Sequence, residues 1–418
     1  MKLSYGRSYL AWAMLTFFYF YQYILRVSPG VMMPELRHAY RLTADEFATL
    51  GSYYLYAYSL MQIPLGILVD RIGLRWTALG SITLCLIGGG LFAIAPSLGI
   101  LQIARILIGI GSASAFMSAL KLATDSLPEN RRGLMIGLTL TFGTMGAYFS
   151  GHLFVWILEQ STWQQAILWV TGLGGVVWLC VWLCVPHNHH HHLQDIQTTS
   201  QSIGQQFFSI IKNRSILAYS ILAIGCYAPL SVLADLWGTA FLMEKMSISR
   251  ASAAPLSMML YVGLAMGSFL LPWLSDVFGN LNQILRLSLF GLCLTFAILL
   301  YGSLTWVTLL MVLLVIGCLC GSEMLCFTAA SFHSNRENSG LIISTVNVLN
   351  MLGSAVLQQL VGTALDFQWD GTLDAHGVRV YFTEQYVYAL TILLGVVVLC
   401  FVLSLMLKNE KKSLINAQ

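Results

Sequence analysis

The run Val307-Thr-Leu-Leu-Met-Val-Leu-Leu-Val-Ile-Gly317 has no charge and no alternation of polar with apolar residues, and it lies in one of twelve long, predominantly apolar segments. A bilayer core about 30 Å thick takes roughly 20 apolar residues of helix to cross. The segments fall near 9–33, 47–69, 76–95, 99–124, 133–157, 164–186, 214–242, 251–275, 282–302, 305–330, 340–366 and 383–408. Only helices and closed barrels satisfy every peptide group inside lipid, and barrels are built from short alternating strands. Uninterrupted apolar runs therefore imply an all-α membrane protein. Composition agrees, with 57% hydrophobic and 9% charged residues and a mean hydropathy of +0.75.

The segments are organised as a duplication. Gly66-Ile-Leu-Val-Asp70-Arg71-Ile-Gly73 returns in degenerate form as Pro272-Trp-Leu-Ser-Asp276-Val-Phe-Gly279, acid and glycine each displaced by 206 residues. Thr43 and Ser249 open matching polar stretches at the same offset, and Leu127–Gly133 matches Ser334–Gly340 at 207. Two six-helix bundles joined head to tail follow, with expected bounds 1–186 and 214–418 and a hydrophilic linker over 187–213. Duplicated carriers rock one such bundle against the other around a central site. By that analogy segments 1, 4, 7 and 10 line the cavity, 2, 5, 8 and 11 join the halves, and 3, 6, 9 and 12 face lipid.

Positive charge orients the chain, because cytoplasmic loops retain Lys and Arg. Lys2, Arg7, Arg71, Arg75, Arg131, Arg132, Lys212, Arg214, Arg286, Arg336, Lys408, Lys411 and Lys412 fall on one side. Only Arg37, Arg41, Lys245, Arg250 and Arg379 fall opposite, which puts both termini in the cytoplasm. No small-residue cleavage site follows the first segment, so it reads as a retained span. The nine cysteines lie inside segments without zinc-ligand spacing and read as packing residues. The linker run His187-Asn-His-His-His-His192 offers imidazoles to a transition metal but lacks ligands at fixed spacing, so it reads as a solvated loop. The external stretch 367–382 reads as ordinary solvated surface. A net charge of +3 gives no reason to expect nucleic acid as a partner, and no cofactor or metal site is expected.

On these residues the chain resembles the major facilitator superfamily. The family's Gly-x-Leu-x-Asp-Arg-x-Gly-x-Arg loop is matched by Gly66, Leu68, Asp70, Arg71, Gly73 and Arg75, and its arginine-and-glycine signature on the fourth helix by Arg105, Gly109 and Gly111. The resemblance implies a gate in which Asp70 faces the positive start of the eleventh helix near Gly340 while Arg71 and Arg75 bridge the cytoplasmic ends, with Asp276 and Gly279 as the second copy. Drug antiporters of the superfamily typically carry a Gly-Pro pair on the fifth helix. Here Gly137, Gly143, Gly146 and Gly151 stand without proline, which weighs against multidrug efflux. Tyr23-Ile-Leu-Arg-Val-Ser-Pro-Gly30 and Leu236-Trp-Gly238 are similar to nutrient carriers of intracellular bacteria, the phagosomal transporter type.

A charge inside a membrane helix costs about 2.5–3.5 kcal/mol on insertion scales and must be compensated. Arg26 is the clearest case, sharing a helical face with Tyr19, Gln22 and Tyr23. A guanidinium among phenols suits a carboxylate or phosphate, and a permanent salt bridge is the alternative. Arg26 displaced by 206 falls at 232, so Asp235 lies about one turn further along the related helix. It is read as the partner of Arg26, as a proton carrier, or as a headgroup-region acid. Glu323, beside Gly321 and among cysteines, fits proton coupling, a hydrogen bond to substrate or its own helix, or structural pairing. Arg105 fits proton transfer or a bond to a neighbouring helix, and Lys121 and Asp125 fit a local ion pair. Tyr54 and Tyr58 are candidates for the cavity wall, and Asn347, Asn350 and His152 for bonds across helices.

The expectation is a secondary transporter that imports a small anionic or zwitterionic metabolite, such as an amino acid, short peptide or carboxylate, together with protons. It would work as a monomer, multi-pass, in a bacterial inner membrane. Export of a metabolite, siderophore or drug is the alternative, and a transporter-like sensor a weaker one. No His-Glu-x-x-His, Gly-x-Ser-x-Gly or Gly-Lys-Ser pattern suggests an enzyme.

Overall fold

The computed structural model describes residues 5–187, 210–333 and 339–407, all but the loops in helices. Most of the linker histidines, residues 334–338 of the repeat and the Asp70 side chain lie outside the described residues. Helices are numbered in order: α1 Tyr5–Val31, α2 Met33–Tyr40, α3 Ala44–Ile72, α4 Leu74–Ala93, α5 Leu98–Ser112, α6 Ala115–Ser126, α7 Glu129–Gln160 and α8 Trp163–Cys184. There follow α9 Arg214–Val232, a π-helical turn Leu233–Trp237, α10 Gly238–Met246, α11 Arg250–Phe278, α12 Leu281–Tyr301, α13 Trp306–Cys320, α14 Glu323–Ser331, α15 Ser339–Phe367 and α16 Thr383–Leu405. The protein is an all-α membrane protein, and nine of its described helical stretches are long and apolar enough to cross a bilayer.

Helix starts follow local chemistry. Asn213, Asn280 and Thr162 accept backbone N–H groups at the first turns of α9, α12 and α8, and Thr305 closes a reciprocal pair with Thr308 at α13. The glycine of the duplicated motif has one backbone reason in both copies: Gly73 (φ 88°) and Gly279 (φ 65°) each turn the chain in the left-handed half of conformational space.

The chain divides into two compact units, residues 1–42 with 49–198, and residues 43–48 with 199–418. In the first, α1 packs on α6, α7 and α8, and α4 on α5 and α8. In the second, α11 packs on α13, and α9 on α14 and α15. Two glycine pairs at four-residue spacing, Gly263/Gly267 on α11 and Gly317 on α13 with Gly321 at its C-terminal cap, face each other so closely that a Cβ on any of them would overlap backbone of the other segment.

Three spans depart from the simple reading by breaking. The fourth divides into α5 and α6 at Ala113–Ser114, the tenth into α13 and α14 at Gly321–Ser322, and the seventh carries the π turn. These are three of the four expected to line the cavity. Lipid exposure also departs in part: the most apolar windows of the sixth, ninth and twelfth spans are 28%, 44% and 33% buried, but the third is 56% buried, as much as the fourth. Its Gly88 and Gly89 seat Ile108 and Thr171 of neighbouring helices, which covers that face.

Candidate functional site

In the first unit Pro29 sets the geometry around Arg26. Proline has no N–H, so the carbonyl one turn earlier, at Leu25, loses its helical donor. Arg105 supplies one. Its Nη1 donates to Leu25 O at 2.8 Å, its Nη2 to Arg26 O at 3.2 Å and its Nε to Leu50 O on α3 at 2.6 Å. The guanidinium also lies over the Tyr54 ring, 4.6 Å from its centre. These bonds tie Arg105 to α1 and α3 and hold the backbone that carries Arg26.

Arg26 is 4% exposed, with its guanidinium 5.7 Å from the centre of the Tyr23 ring. The Tyr19 and Tyr23 hydroxyls are 3.3 Å apart, and Gln22 donates to the Tyr54 hydroxyl. Tyr54 stacks on Tyr58 at 6.0 Å. Tyr19 also fills the space opposite Gly143 of α7 and meets Phe116 of α6. The structure thus brings Tyr19, Gln22, Tyr23, Arg26, Tyr54 and Tyr58 into one cluster. Gln22 Oε1 and the Ser114 and Ser118 hydroxyls are buried with no hydrogen-bond partner among the described residues. Ser114, at the break of the fourth span, was not foreseen. Such a group can grip a planar anion with two parallel guanidinium bonds and hold its remaining oxygens with neutral donors.

In the second unit Asp235 sits inside the π turn, 3% exposed. Its Oδ2 accepts from Ser231 Oγ at 3.2 Å and its Oδ1 from the Tyr261 hydroxyl of α11. Gln358 of α15 holds the turn in place, its Nε2 donating to Ser231 O at 2.9 Å while its backbone carbonyl accepts from Trp237 Nε1 at 3.3 Å. π turns often mark functional positions, and here the wider ring is stabilised from a neighbouring helix. Glu323 is the first residue of α14, 5% exposed, and accepts from Asn350 Nδ2 at 2.9 Å. Asn350 thus makes a bond across helices; Asn347, in the same second unit, is half-buried. His152 is exposed and its ring meets Tyr148 of its own helix, not a neighbouring one.

Of the residues expected at the gate, Gly66 seats the Met117 side chain, Arg71 and Asp276 are exposed, and the Arg75 guanidinium lies 5.8 Å from the Trp182 ring centre within its own unit. Lys121 and Asp125 pair at 3.8 Å. The loop after α15 is not ordinary surface. A bridge between Leu373 and Arg379 folds it back, and Arg379 Nη1 meets Asp366 Oδ1 at 2.9 Å while stacking on Trp369. Asp366 also accepts from Tyr381 and from the backbone N–H groups of Ala44 and Asp45 at the start of α3.

Membrane helices in duplicated order, broken at mid-span and carrying buried charged side chains, define a membrane carrier. The chain belongs to the Major Facilitator Superfamily, whose family model matches residues 15–357. It is similar to the probable sulfoacetate transporter SauU of Cupriavidus necator, 29% identical over 43% of this chain and 41% of that protein. It is also similar to the D-galactonate transporter of Escherichia coli O6:H1, 28% identical over 43% of this chain and 41% of that one. The chain thus spans about two fifths of the length of these relatives. A bacterial homologue of the human lysosomal transporter Spinster, solved inward-facing and unoccupied, shares the fold at a TM-score of 0.73 and 18% identity, over 97% of this chain and 98% of that one.

Proposed function

We propose that this transporter imports a small organic anion, a carboxylate of the sugar-acid or sulfonate kind, together with protons by alternating access. The observation that carries the reading is Arg26, buried at 4% exposure among phenols and the Gln22 amide on a backbone fixed by Arg105. An anion stripped of water needs a charged, forked donor already desolvated and oriented, and this is one. The SauU and D-galactonate relatives, named for organic anions, support the class over amino acids and peptides. Asp235 and Glu323 are the two buried carboxylates among the described residues and are the groups assigned to proton handling. Asp70, Arg71, Arg75 and Asp276 are assigned to the cytoplasmic gate. The setting is a bacterial inner membrane, with both termini cytoplasmic, the bilayer and protons as partners, and the monomer as working unit.

The test is thermal stabilisation of the purified protein by D-galactonate and sulfoacetate, with D-galactose as the neutral control and Arg26→Ala alongside. A ligand at 100 times its Kd adds about 2.7 kcal/mol to the folded state. Stabilisation by the anions alone, lost in the variant, supports the reading. Stabilisation by apolar cations, indifferent to the substitution, overturns it in favour of efflux.

A further inference from the structure

In the first unit α4 and α8 pack together along a ladder of contacts that ends in a group of aromatic and basic side chains. Gly89 faces Thr171, and further along Trp178 Nε1 donates to Thr83 Oγ1 at 3.1 Å. Beyond that Trp182 stacks on Trp178 at 6.4 Å and the Arg75 guanidinium lies over the Trp182 ring. Trp76 Nε1 donates to His187 Nδ1 at 3.1 Å, with the two rings edge to face. Trp76 and Trp182 remain 50% and 43% exposed, and α8 carries the least buried apolar window of the nine.

Tryptophan at a membrane surface presents an apolar ring to lipid and a polar N–H to headgroups and water. Here two indoles direct that N–H into the protein, onto Thr83 and His187, so the rings form a fixed wall. The wall holds Arg75. No carboxylate pairs with its guanidinium among the described residues, and its Nε is buried without a partner, which leaves the Nη edge to meet an acceptor from outside the chain. A guanidinium set on an indole is a forked donor with a fixed plane, and such a fork takes a phosphate through two parallel bonds. Arg71, exposed at the end of α3, adds positive charge at the same end of the bundle. Leu179 and Leu183 expose apolar surface on α8 beside the wall.

We infer that Arg75, held by Trp182 and flanked by Trp76 and Trp178, binds the phosphate of an anionic phospholipid whose acyl chains lie along the exposed face of α8. The phosphate accepts from the two Nη groups, and Trp182 acts as a positioning residue by keeping their edge turned toward the bilayer. The site opens outward at the end of the bundle assigned to the cytoplasm, where basic groups between membrane helices attract anionic headgroups. A second copy of this chain fits less well, because a twofold contact would set Arg75 against Arg75. The gate role proposed for Arg75 concerns transport, whereas lipid binding is read without it.

The test is native mass spectrometry of the full-length protein in detergent, titrated with phosphatidylglycerol or with phosphatidylcholine of the same acyl chains, whose choline cation neutralises the same phosphate. Wild type is expected to hold its first phosphatidylglycerol at least about tenfold more tightly than phosphatidylcholine, a difference of about 1.4 kcal/mol. Arg75→Gln is expected to erase that preference. Lys212→Gln, which removes one exposed charge elsewhere, is expected to keep it. Arg75→Lys retains the charge without the fork and is expected to keep no more than about a third of the preference. Trp182→Leu leaves apolar surface but removes the ring under the guanidinium; it is expected to lower the preference at least about threefold and is read alone if Arg75→Gln yields no folded protein. Equal retention of the two lipids by wild type, or a preference unchanged in the variants read, overturns the site. Displacement of bound phosphatidylglycerol by millimolar inorganic phosphate would assign the fork to a free anion and overturn the lipid.

Discussion

Asp366 accepts the backbone N–H of Asp45 at 2.8 Å, so the last turn of α15 caps the first turn of α3 across 321 residues of chain. The first N–H groups of a helix have no partner within it, and a carboxylate there meets both the free donors and the positive end of the helix dipole. Asp45 returns the contact by accepting from Gln359 Nε2 at 2.7 Å and from the Thr363 hydroxyl. Asp366→Ala is expected to lower stability by about 1–2 kcal/mol, the usual worth of a helix cap. Arg379→Ala, which removes only a half-exposed ion pair and its stacking on Trp369, is expected to cost less than about 1 kcal/mol. Thermal unfolding of the two variants in one detergent checks the order; equal losses would remove the capping role.

Arg105 makes a second prediction because its three acceptors lie on two helices, Leu25 and Arg26 on α1 and Leu50 on α3. A lysine ammonium keeps the charge but has no planar fork to span them. Arg105→Lys is expected to destabilise the protein by about 2–3 kcal/mol through carbonyls left without donors. It is also expected to weaken anion binding at Arg26, which the ligand-induced shift in melting temperature reads directly. A lysine variant with wild-type affinity would show that Arg105 does not position Arg26.

Much of this was legible in one dimension because helical membrane proteins write their neighbours three and four residues apart. Tyr19, Gln22, Tyr23 and Arg26 could be grouped from spacing alone, and the offset of 206 located Gly73 and Gly279 at equivalent turns. Partners on other helices leave no such trace. Tyr261 and Gln358 meet Asp235 and Ser231 from 26 and 127 residues away, and neither is charged. Arg379 looked like a solvated loop charge, yet its acceptor Asp366 lies on the preceding helix and only the fold-back at Leu373 joins them. The break at Ser114 escaped because Ala-Phe-Met-Ser continues the apolar pattern across it.

The loop after α15 yields a pH prediction. Asp370 is held below the ordinary carboxylate value of 3.8 by the backbone N–H and side chain of Thr372, the N–H at 2.9 Å. A depressed carboxylate contributes its stability above the unfolded pKa and loses it as pH falls through the folded value. The turn is therefore expected to be unchanged from pH 7 to about 4.5 and to loosen only below about 3.8. Trp369, whose indole donates to Thr372 O at 2.9 Å, reports it through the fluorescence difference between wild type and Trp369→Phe. Loosening already at pH 5 would place control with another group.

The facing glycines of α11 and α13 set the sharpest packing prediction. A methyl group at Gly267 would overlap the Cys318 carbonyl, and one at Gly317 the Leu260 carbonyl, so neither can be relieved by turning a side chain. Helix backbones in contact lose their packing and van der Waals attraction when pushed apart, and in lipid no hydrophobic force pulls them back together. Gly267→Ala and Gly317→Ala are each expected to cost more than about 3 kcal/mol or to abolish folded protein. Gly395, on α16 with open space where its Cβ would stand, is the matched control and is expected to tolerate alanine within about 0.5 kcal/mol. A Gly267→Ala protein that melts with wild type would mean that the two helices do not approach this closely.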